Sequence, residues 1–388
     1  MSVRNKNIPA LRFKGFHESW ATIKLGEMCE TFSSGATITS KNIFETGKFP
    51  VYGGNGLRGY TDSFTHDGFY MLIGRQGALC GNINRVYGKT YISEHAIAVA
   101  ANESSNTEWL AQKLDYMDLN RLSESSAQPG LAVNKLIKIK LNIPSLLEQQ
   151  KIASFLSAID EKTRQLTRRK ELLEQYKKGV MQQLFSGKLR FKDEKGKAYP
   201  KWEEKRLGEI AEFSKGKGIS KLDIDIDGET ECIRYGQLYT DYKETIYNVI
   251  SRTKVPLADL VLSKKNDVII PASGETQIDI ATASCVMKSG VALGGDLNII
   301  RTPLNGVFLS YYLNSQKRFD IARLSQGISV VHLYPSQLAL LEISIPRIEE
   351  QNKIASFLSS IDTKIESVTA QIERTKGYKK GLLQKMFV

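Results

Sequence analysis

Residues 143–186 read IPSLLEQQKIASFLSAIDEKTRQLTRRKELLEQYKKGVMQQLFS and residues 345–388 read IPRIEEQNKIASFLSSIDTKIESVTAQIERTKGYKKGLLQKMFV, aligned without a gap at a constant offset of 202. Within the first, Ile152, Ile159, Leu166, Leu173 and Val180 recur every seventh residue. In the second, Ile354, Ile361, Val368 and Leu382 keep that step, with Leu358, Ile365, Ile372 and Met386 four residues on. Apolar residues on a seven-residue step form one seam along an α-helix. Pro144 and Pro346 stand just before each segment, where a fixed φ is tolerated, and Gly187 follows the first as a stop. Each helix would run about 40 residues, roughly 60 Å. A rod of that length overhangs a domain of ordinary size, which favours the two helices packing on each other over each lying on its own domain. With a whole domain between them, the pairing is expected to be antiparallel, placing the intervening domains at opposite ends of a rod.

Upstream of each copy the echo continues. Leu11-Arg12-Phe13-Lys14 recurs as Leu189-Arg190-Phe191-Lys192, and Trp20 with Leu25-Gly26-Glu27 recurs as Trp202 with Leu207-Gly208-Glu209. The chain is a tandem duplication. The regions between hold most of the glycines and short β-rich runs such as Phe69-Tyr70-Met71-Leu72-Ile73 and Val268-Ile269-Ile270, separated by turn dipeptides. The predicted fold is α+β: two α/β-mixed domains separated by two long helices forming an antiparallel coiled coil, with pseudo-twofold repetition. The expected division is 1–142 for the first domain, 143–187 for the first helix, 188–344 for the second domain with a lead-in linker over 188–201, and 345–388 for the second helix. The two domains match each other faintly but in order. Val51-Tyr52-Gly53 faces Arg234-Tyr235-Gly236, Ile73 with Gly77 faces Ile270 with Gly274, and Gln128-Pro129-Gly130 faces Gln326-Gly327. Closely matched helices with divergent domains suggest one scaffold carrying two heads that do different versions of one job.

The 388 residues carry 54 basic and 42 acidic side chains, a formal charge of +12 with pI about 9.3. That balance concentrates polyanions around the molecule, with nucleic acid foremost, although a basic composition alone does not demand it. The start lacks the apolar stretch of a secretory signal and no apolar run reaches membrane-spanning length, so a cytoplasmic protein with no membrane role is expected. Cys29, Cys80, Cys232 and Cys285 show neither disulfide nor zinc spacing. His17, His66, His95 and His332 lack metal-ligand spacing. Gly54-Asn55-Gly56-Leu57-Arg58-Gly59 matches a dinucleotide fingerprint in letters only, without the flanking strand and helix. Gly88-Lys89-Thr90 resembles the end of a phosphate loop whose first glycine is replaced by Ile83. An amino-methyltransferase needs an Asp/Asn-Pro-Pro-aromatic motif, and the sequence contains no Pro-Pro pair. No catalytic or metal site is expected.

The two copies of Ile-Pro followed by Glu-Gln, here Ile143-Pro144 with Glu148-Gln149-Gln150-Lys151-Ile152-Ala153 and Ile345-Pro346 with Glu350-Gln351-Asn352-Lys353-Ile354-Ala355, each continue into Phe-Leu-Ser and Ile-Asp. With the Leu-Arg-Phe-Lys phrases and the runs VYGGNGLRGY, LIGRQGALCG, IPASGET and LGGDLNIIR, they resemble the specificity subunit of Type I restriction-modification systems over nearly the whole chain. The resemblance implies a non-catalytic DNA-binding subunit in which two target recognition domains each read half of an interrupted sequence in double-stranded DNA. It implies two modification (methyltransferase) subunits docked on the helices and restriction (translocase/nuclease) subunits joining them. S-adenosylmethionine, ATP and Mg are then expected on those partners and no cofactor on this chain. A stand-alone nucleic-acid-binding regulator on the same scaffold remains the alternative.

Glycine-rich loops that let backbone approach phosphate, carrying Arg, Asn, Gln and Tyr for base edges, are the candidate DNA contacts. These are Tyr52, Asn55, Arg58, Arg75, Gln76 and Lys89 in the first domain, and Lys215, Lys217, Arg234, Tyr235, Gln237, Ser273, Glu275 and Thr276 in the second. The best-matched helical stretch nominates Gln149, Gln150, Lys151, Phe155, Gln351, Asn352, Lys353 and Phe357 for partner docking, with Phe155 and Phe357 equally readable as seam residues. The basic run from Arg164 to Lys201 either tracks phosphates or is a solvated face.

Overall fold

The computed structural model describes residues 7–77, 79–123, 130–327 and 330–387. Two long helices span Leu146–Phe185 and Ile348–Met386. The chain divides into two compact units, one running up to Arg168 and resuming at Thr369, the other Arg169–Val368. Each unit holds one α+β domain and a stretch of both long helices.

In the first unit a four-stranded antiparallel sheet is ordered Cys29–Ser34, Ala96–Ala101, Phe69–Gly74, Ile83–Tyr87. A second sheet pairs Phe49–Gly53 antiparallel with Gly56–Thr61 and parallel with Tyr91–Ile92. The central strands are buried on both faces, as continuous apolar runs such as Ala96-Ile97-Ala98-Val99 demand. The helix Thr107–Met117 is capped by the Asn106 side chain, which accepts from the Trp109 N–H at 2.8 Å. Its Trp109 packs edge-on to Trp20, ring centroids 6.0 Å apart.

The second unit repeats this plan. Its larger sheet is ordered Glu212–Lys215, Leu297–Arg301, Asp267–Pro271, Ser284–Val286, with Thr245–Ile246 added at the edge. Its smaller one sets Thr230–Ile233 antiparallel to Ser251–Thr253 and parallel to Ala292–Leu293. Asn305 caps the helix Gly306–Tyr312 through the Phe308 N–H, as Asn106 does in the first unit.

In the first unit Ile152, Leu156 and Ile159 of the first helix share a core with Leu382 and Met386 of the second and with Met71, Ile97 and Trp109 of the domain. In the second unit Val180, Leu184 and Phe185 meet Ile354, Leu358, Ile361 and Ile365 and the domain's Ile300 and Phe308. Early residues of one helix meet late residues of the other, so the helices run antiparallel within each unit. The seam is therefore buried by the domain as well as by the opposing helix. Of the residues on the seven-residue pattern only Leu173 is partly exposed.

Candidate nucleic-acid interface and the joint that carries it

Each domain closes on a two-stranded antiparallel pair just before its long helix. Ala21–Lys24 pairs with Lys140–Ile143, Ala21 opposite Ile143, and Glu203–Arg206 pairs with Glu342–Ile345, Glu203 opposite Ile345. The repeated phrases, far apart in sequence, meet here. Arg12 grips Glu148 through Nε at 2.9 Å and Nη2 at 2.7 Å, and Arg190 grips Glu350 at 3.0 and 2.6 Å. Glu148 is 1% and Glu350 0% exposed. A planar guanidinium fork matches a carboxylate with two parallel bonds, which suits a buried pair. The indole N–H of Trp202 also donates to Glu350, at 3.1 Å.

The residues expected to dock partners divide at this joint. Gln149 and Gln351 are buried: each accepts through Oε1 from the backbone N–H of Asn106 or Asn305, at 2.9 Å, and donates through Nε2 to Pro144 or Pro346, at 3.0 or 2.8 Å. They fasten the domain helix to the long helix and present no surface. Phe155 and Phe357 are half-buried, edge-on to Phe13 and Phe191 at 5.6 and 5.7 Å. The Lys151 ammonium sits over Phe13 at 5.1 Å, and Lys353 lies over Tyr199 at 5.5 Å while donating to the Lys192 carbonyl. Gln150 and Asn352 are exposed, and Asn352 accepts from the Asn305 side chain at 2.8 Å. Beside them Leu147 is 72% exposed.

A second shared feature ties each domain to both helices. Asp160 pairs with Lys379 at 2.6 Å and accepts from Gln112 Nε2 at 2.8 Å; Asp362 pairs with Lys177 at 2.8 Å and accepts from the Tyr311 hydroxyl. Burial first, then the Asp362 and Glu244 carboxylates, pushes the Tyr311 phenol far up, so it stays a donor. Lys177 also reaches Glu244 at 3.2 Å. Lys177 and Arg190 are thus committed within the protein, which thins the basic run, and Arg164 is held by Glu161.

In the first unit the loop candidates gather partly. Asn55 tops the hairpin Phe49–Thr61, so the Gly54–Gly59 segment is a hairpin turn rather than a cofactor loop. Gly54 packs so closely that a Cβ would stand 2.7 Å from Gly74 Cα and 2.7 Å from the His95 carbonyl oxygen. Arg75 donates its N–H to that oxygen at 3.0 Å and accepts from Leu131 at 3.0 Å, and Gln76 bridges to Gly130. Arg58 lies over Gly53, where a Cβ would come 2.8 Å from its Cδ. Tyr52 packs on the smaller core and accepts from the Ser93 N–H. Lys89 stands apart: the hairpin register sets Ile73 opposite Ile83 at the Arg75 end and Phe69 opposite Tyr87 at the other, where Lys89 lies over Phe64 at 4.9 Å.

The second unit has the same backbone frame. Ala272 donates to the Asp296 carbonyl at 2.8 Å and accepts from Leu333 at 3.0 Å, as Arg75 does with His95 and Leu131; Gly294 donates to Ile233 as Ser93 does to Tyr52. Arg75 therefore occupies the place of Ala272, Gln76 of Ser273, His95 of Asp296, and Gly53 of Arg234. The first domain match is thus displaced by two residues from the sequence alignment, while Ile73–Gly77 against Ile270–Gly274 agrees. Gly130 takes the place of His332; Gln128 and Pro129 lie outside the described residues.

Around this frame Lys217, exposed, donates its N–H to Leu293, and Arg234 and Tyr235 line a cleft. Lys215 lies over Tyr334 at 5.5 Å. Glu275 is exposed. Two candidates turn inward, and the exposed Thr276 is tied up as a helix cap. Gln237 is 5% exposed, accepting from the Arg234 N–H and donating to Ser251 Oγ. Ser273 is buried opposite His332, and Thr276 caps the short helix Gln277–Ile280 through the Asp279 N–H at 3.1 Å.

The four cysteines are free, and burial pushes Cys29 and Cys285 up to about 12, keeping them thiols at neutral pH. Among the described residues no group of three His, Cys, Asp or Glu side chains is placed to hold a metal, and no helix is long and apolar enough to cross a membrane.

Two domains built on one backbone frame with different side chains define a protein of duplicated architecture. The family described as Type I restriction modification DNA specificity domain matches residues 17–175 and 199–375, so this chain belongs to that family. It is 44% identical over 147 residues to the Type I restriction enzyme EcoprrI specificity subunit of Escherichia coli, covering 37% of this chain and 36% of that protein. It is 24% identical over 378 residues to a putative type I restriction enzyme specificity subunit of Haemophilus influenzae, covering 89% of this chain and 88% of that one. In fold it is similar to the crystal structure of the Type-I restriction-modification system S subunit from M. genitalium, with TM-score 0.71 at 16% identity, over 98% of this chain and 99% of that one.

Proposed function

We propose that this chain is the DNA-recognition subunit of a Type I restriction-modification complex, performs no chemistry itself, and reads a bipartite target with one domain per half. The observation that supports it is the shared frame. Arg75, Gln76 and His95 in one unit stand where the other has Ala272, Ser273 and Asp296, so equal backbones present unequal hydrogen-bonding groups. Base edges are distinguished by their donors and acceptors, so such a pair would read two different half-sites. The recognition modules correspond to residues 1–142 and 188–344. Asn55, Arg58, Arg75 and Gln76, and Lys217, Arg234, Tyr235 and Glu275, are the side chains nominated for DNA.

Two modification subunits would dock at the exposed Gln150 and Lys151 with Leu147, and at Asn352 and the half-buried Lys353 with the exposed Ile348, next to the buried joints. Restriction subunits would join that assembly, and S-adenosylmethionine, ATP and Mg would be held by these partners. The test is to express the chain with its modification partner, map methylated adenines across the genome, and weigh the complex by native mass spectrometry. A bipartite motif and two modification subunits per chain are expected. A chain that purifies alone and directs no methylation would sink the proposal and favour a stand-alone regulator.

A further inference from the structure

The second unit holds a cleft of about 500 Å³ lined by Gly218, Ile219, Arg234, Tyr235, Gly295 and Asp296 among others. Its walls are fixed by backbone bonds from Lys217 to Leu293, Gly294 to Ile233 and Gly295 to Gly218, at 3.0, 2.9 and 2.9 Å. Ile219 sits at φ 59, a left-handed conformation that a β-branched residue keeps only where surroundings impose it. Gln237, buried, holds the Arg234 backbone from behind.

Arg234 forms no ion pair among the described residues, and its buried Nε has no acceptor there, although two carboxylates line the same cleft. Asp223 is occupied: it accepts from the Ser220 N–H at 2.7 Å to close the cap of residues 221–223. The Asp296 carboxylate forms no hydrogen bond or ion pair among the described residues. One uncommitted guanidinium fork and one uncommitted carboxylate thus face a single preformed cleft. A phosphate is poorly suited to a site with two carboxylates. A G·C edge in the major groove offers the fork two adjacent acceptors, guanine N7 and O6, and offers the carboxylate a donor, the cytosine amino group. An A·T edge places adenine's amino donor beside N7, against the fork.

We propose that Arg234 and Asp296 together read one G·C base pair, Arg234 on guanine and Asp296 on the paired cytosine. This rests on the reading of the second unit as a recognition domain. The constellation is peculiar to that unit, because Gly53 and His95 stand at the corresponding places of the first.

The test compares adenine-methylation maps directed by the full chain with its modification partner against those of Arg234→Ala, Arg234→Lys and Asp296→Ala. The parent motif should survive except at one G·C position of one half-site, where preference falls about ten- to a hundredfold in Arg234→Ala. Asp296→Ala should loosen the same position, and Arg234→Lys should fall between. Should the alanine variant fail to fold, the lysine variant carries the test, since it keeps the charge without the fork. An unchanged motif would overturn the assignment, as would an even loss of methylation at all sites by a variant with unchanged melting. A parent chain directing no methylation would instead remove the recognition reading beneath it.

Discussion

Replacing Arg12 by alanine removes both bonds to Glu148, at 2.9 and 2.7 Å, and leaves a carboxylate that is 1% exposed with no other hydrogen-bond partner among the described residues. Breaking a buried pair from one side costs about 3–5 kcal/mol, because the remaining charge is neither solvated nor compensated. Arg190→Ala leaves Glu350 equally buried but still accepting from the Trp202 indole at 3.1 Å. A hydrogen bond to a charged group is worth about 1.5–3 kcal/mol, so the loss in the second unit should be smaller, about 2–3 kcal/mol. Two compact units make a single global unfolding energy ill-defined, so the readout is amide exchange in the pairs Ala21–Lys24 with Lys140–Ile143 and Glu203–Arg206 with Glu342–Ile345. A loss of about 4 kcal/mol lowers protection by roughly three orders of magnitude. Replacing both Arg12 and Glu148 by apolar residues of similar volume should recover most of it. A fall of less than tenfold in both units, or a larger fall in the second, would refute the account of the joint.

Two further outcomes follow from single side chains. A Cβ on Gly216 would stand 2.0 Å from the Gly294 carbonyl oxygen and 2.5 Å from that of Leu293, so Gly216→Ala should cost about 1–3 kcal/mol locally and abolish methylation while amide exchange in the first unit stays unchanged. Burial pushes the Lys113 ammonium, 4% exposed, down to about 8 from 10.5. The unfolded chain then binds more protons between those values, so the penalty of charging Lys113 is full below about pH 8 and is relieved as pH rises toward 10.5. Lys113→Met should flatten the pH profile of first-unit stability in that window; an unchanged profile would contradict the burial argument.

The long helices were legible because a seven-residue apolar step has one structural meaning over that length, and the seam positions are the buried ones. The repeated Leu-Arg-Phe-Lys and Glu-Gln phrases were legible as repeats, but not as partners, since nothing in a spacing of 136 residues says that Arg12 reaches Glu148. For the same reason Gln149 and Gln351 read as docking residues: a polar side chain repeated in two copies looks alike whether it faces a partner protein or ties two elements together. Gln237 misled in the same way. The domain match at Ile73–Gly77 held because apolar strand ends flank it, whereas the shared Tyr-Gly of residues 52–53 and 235–236 drew the alignment two residues off the hydrogen-bond register.

The most direct test exchanges the second domain, residues 202–344, for that of a family member with a different target and maps methylated adenines. One half of the recognised sequence should change to that of the donor while the other half is retained. Both halves changing, or neither, would contradict the claim that each unit reads its own half.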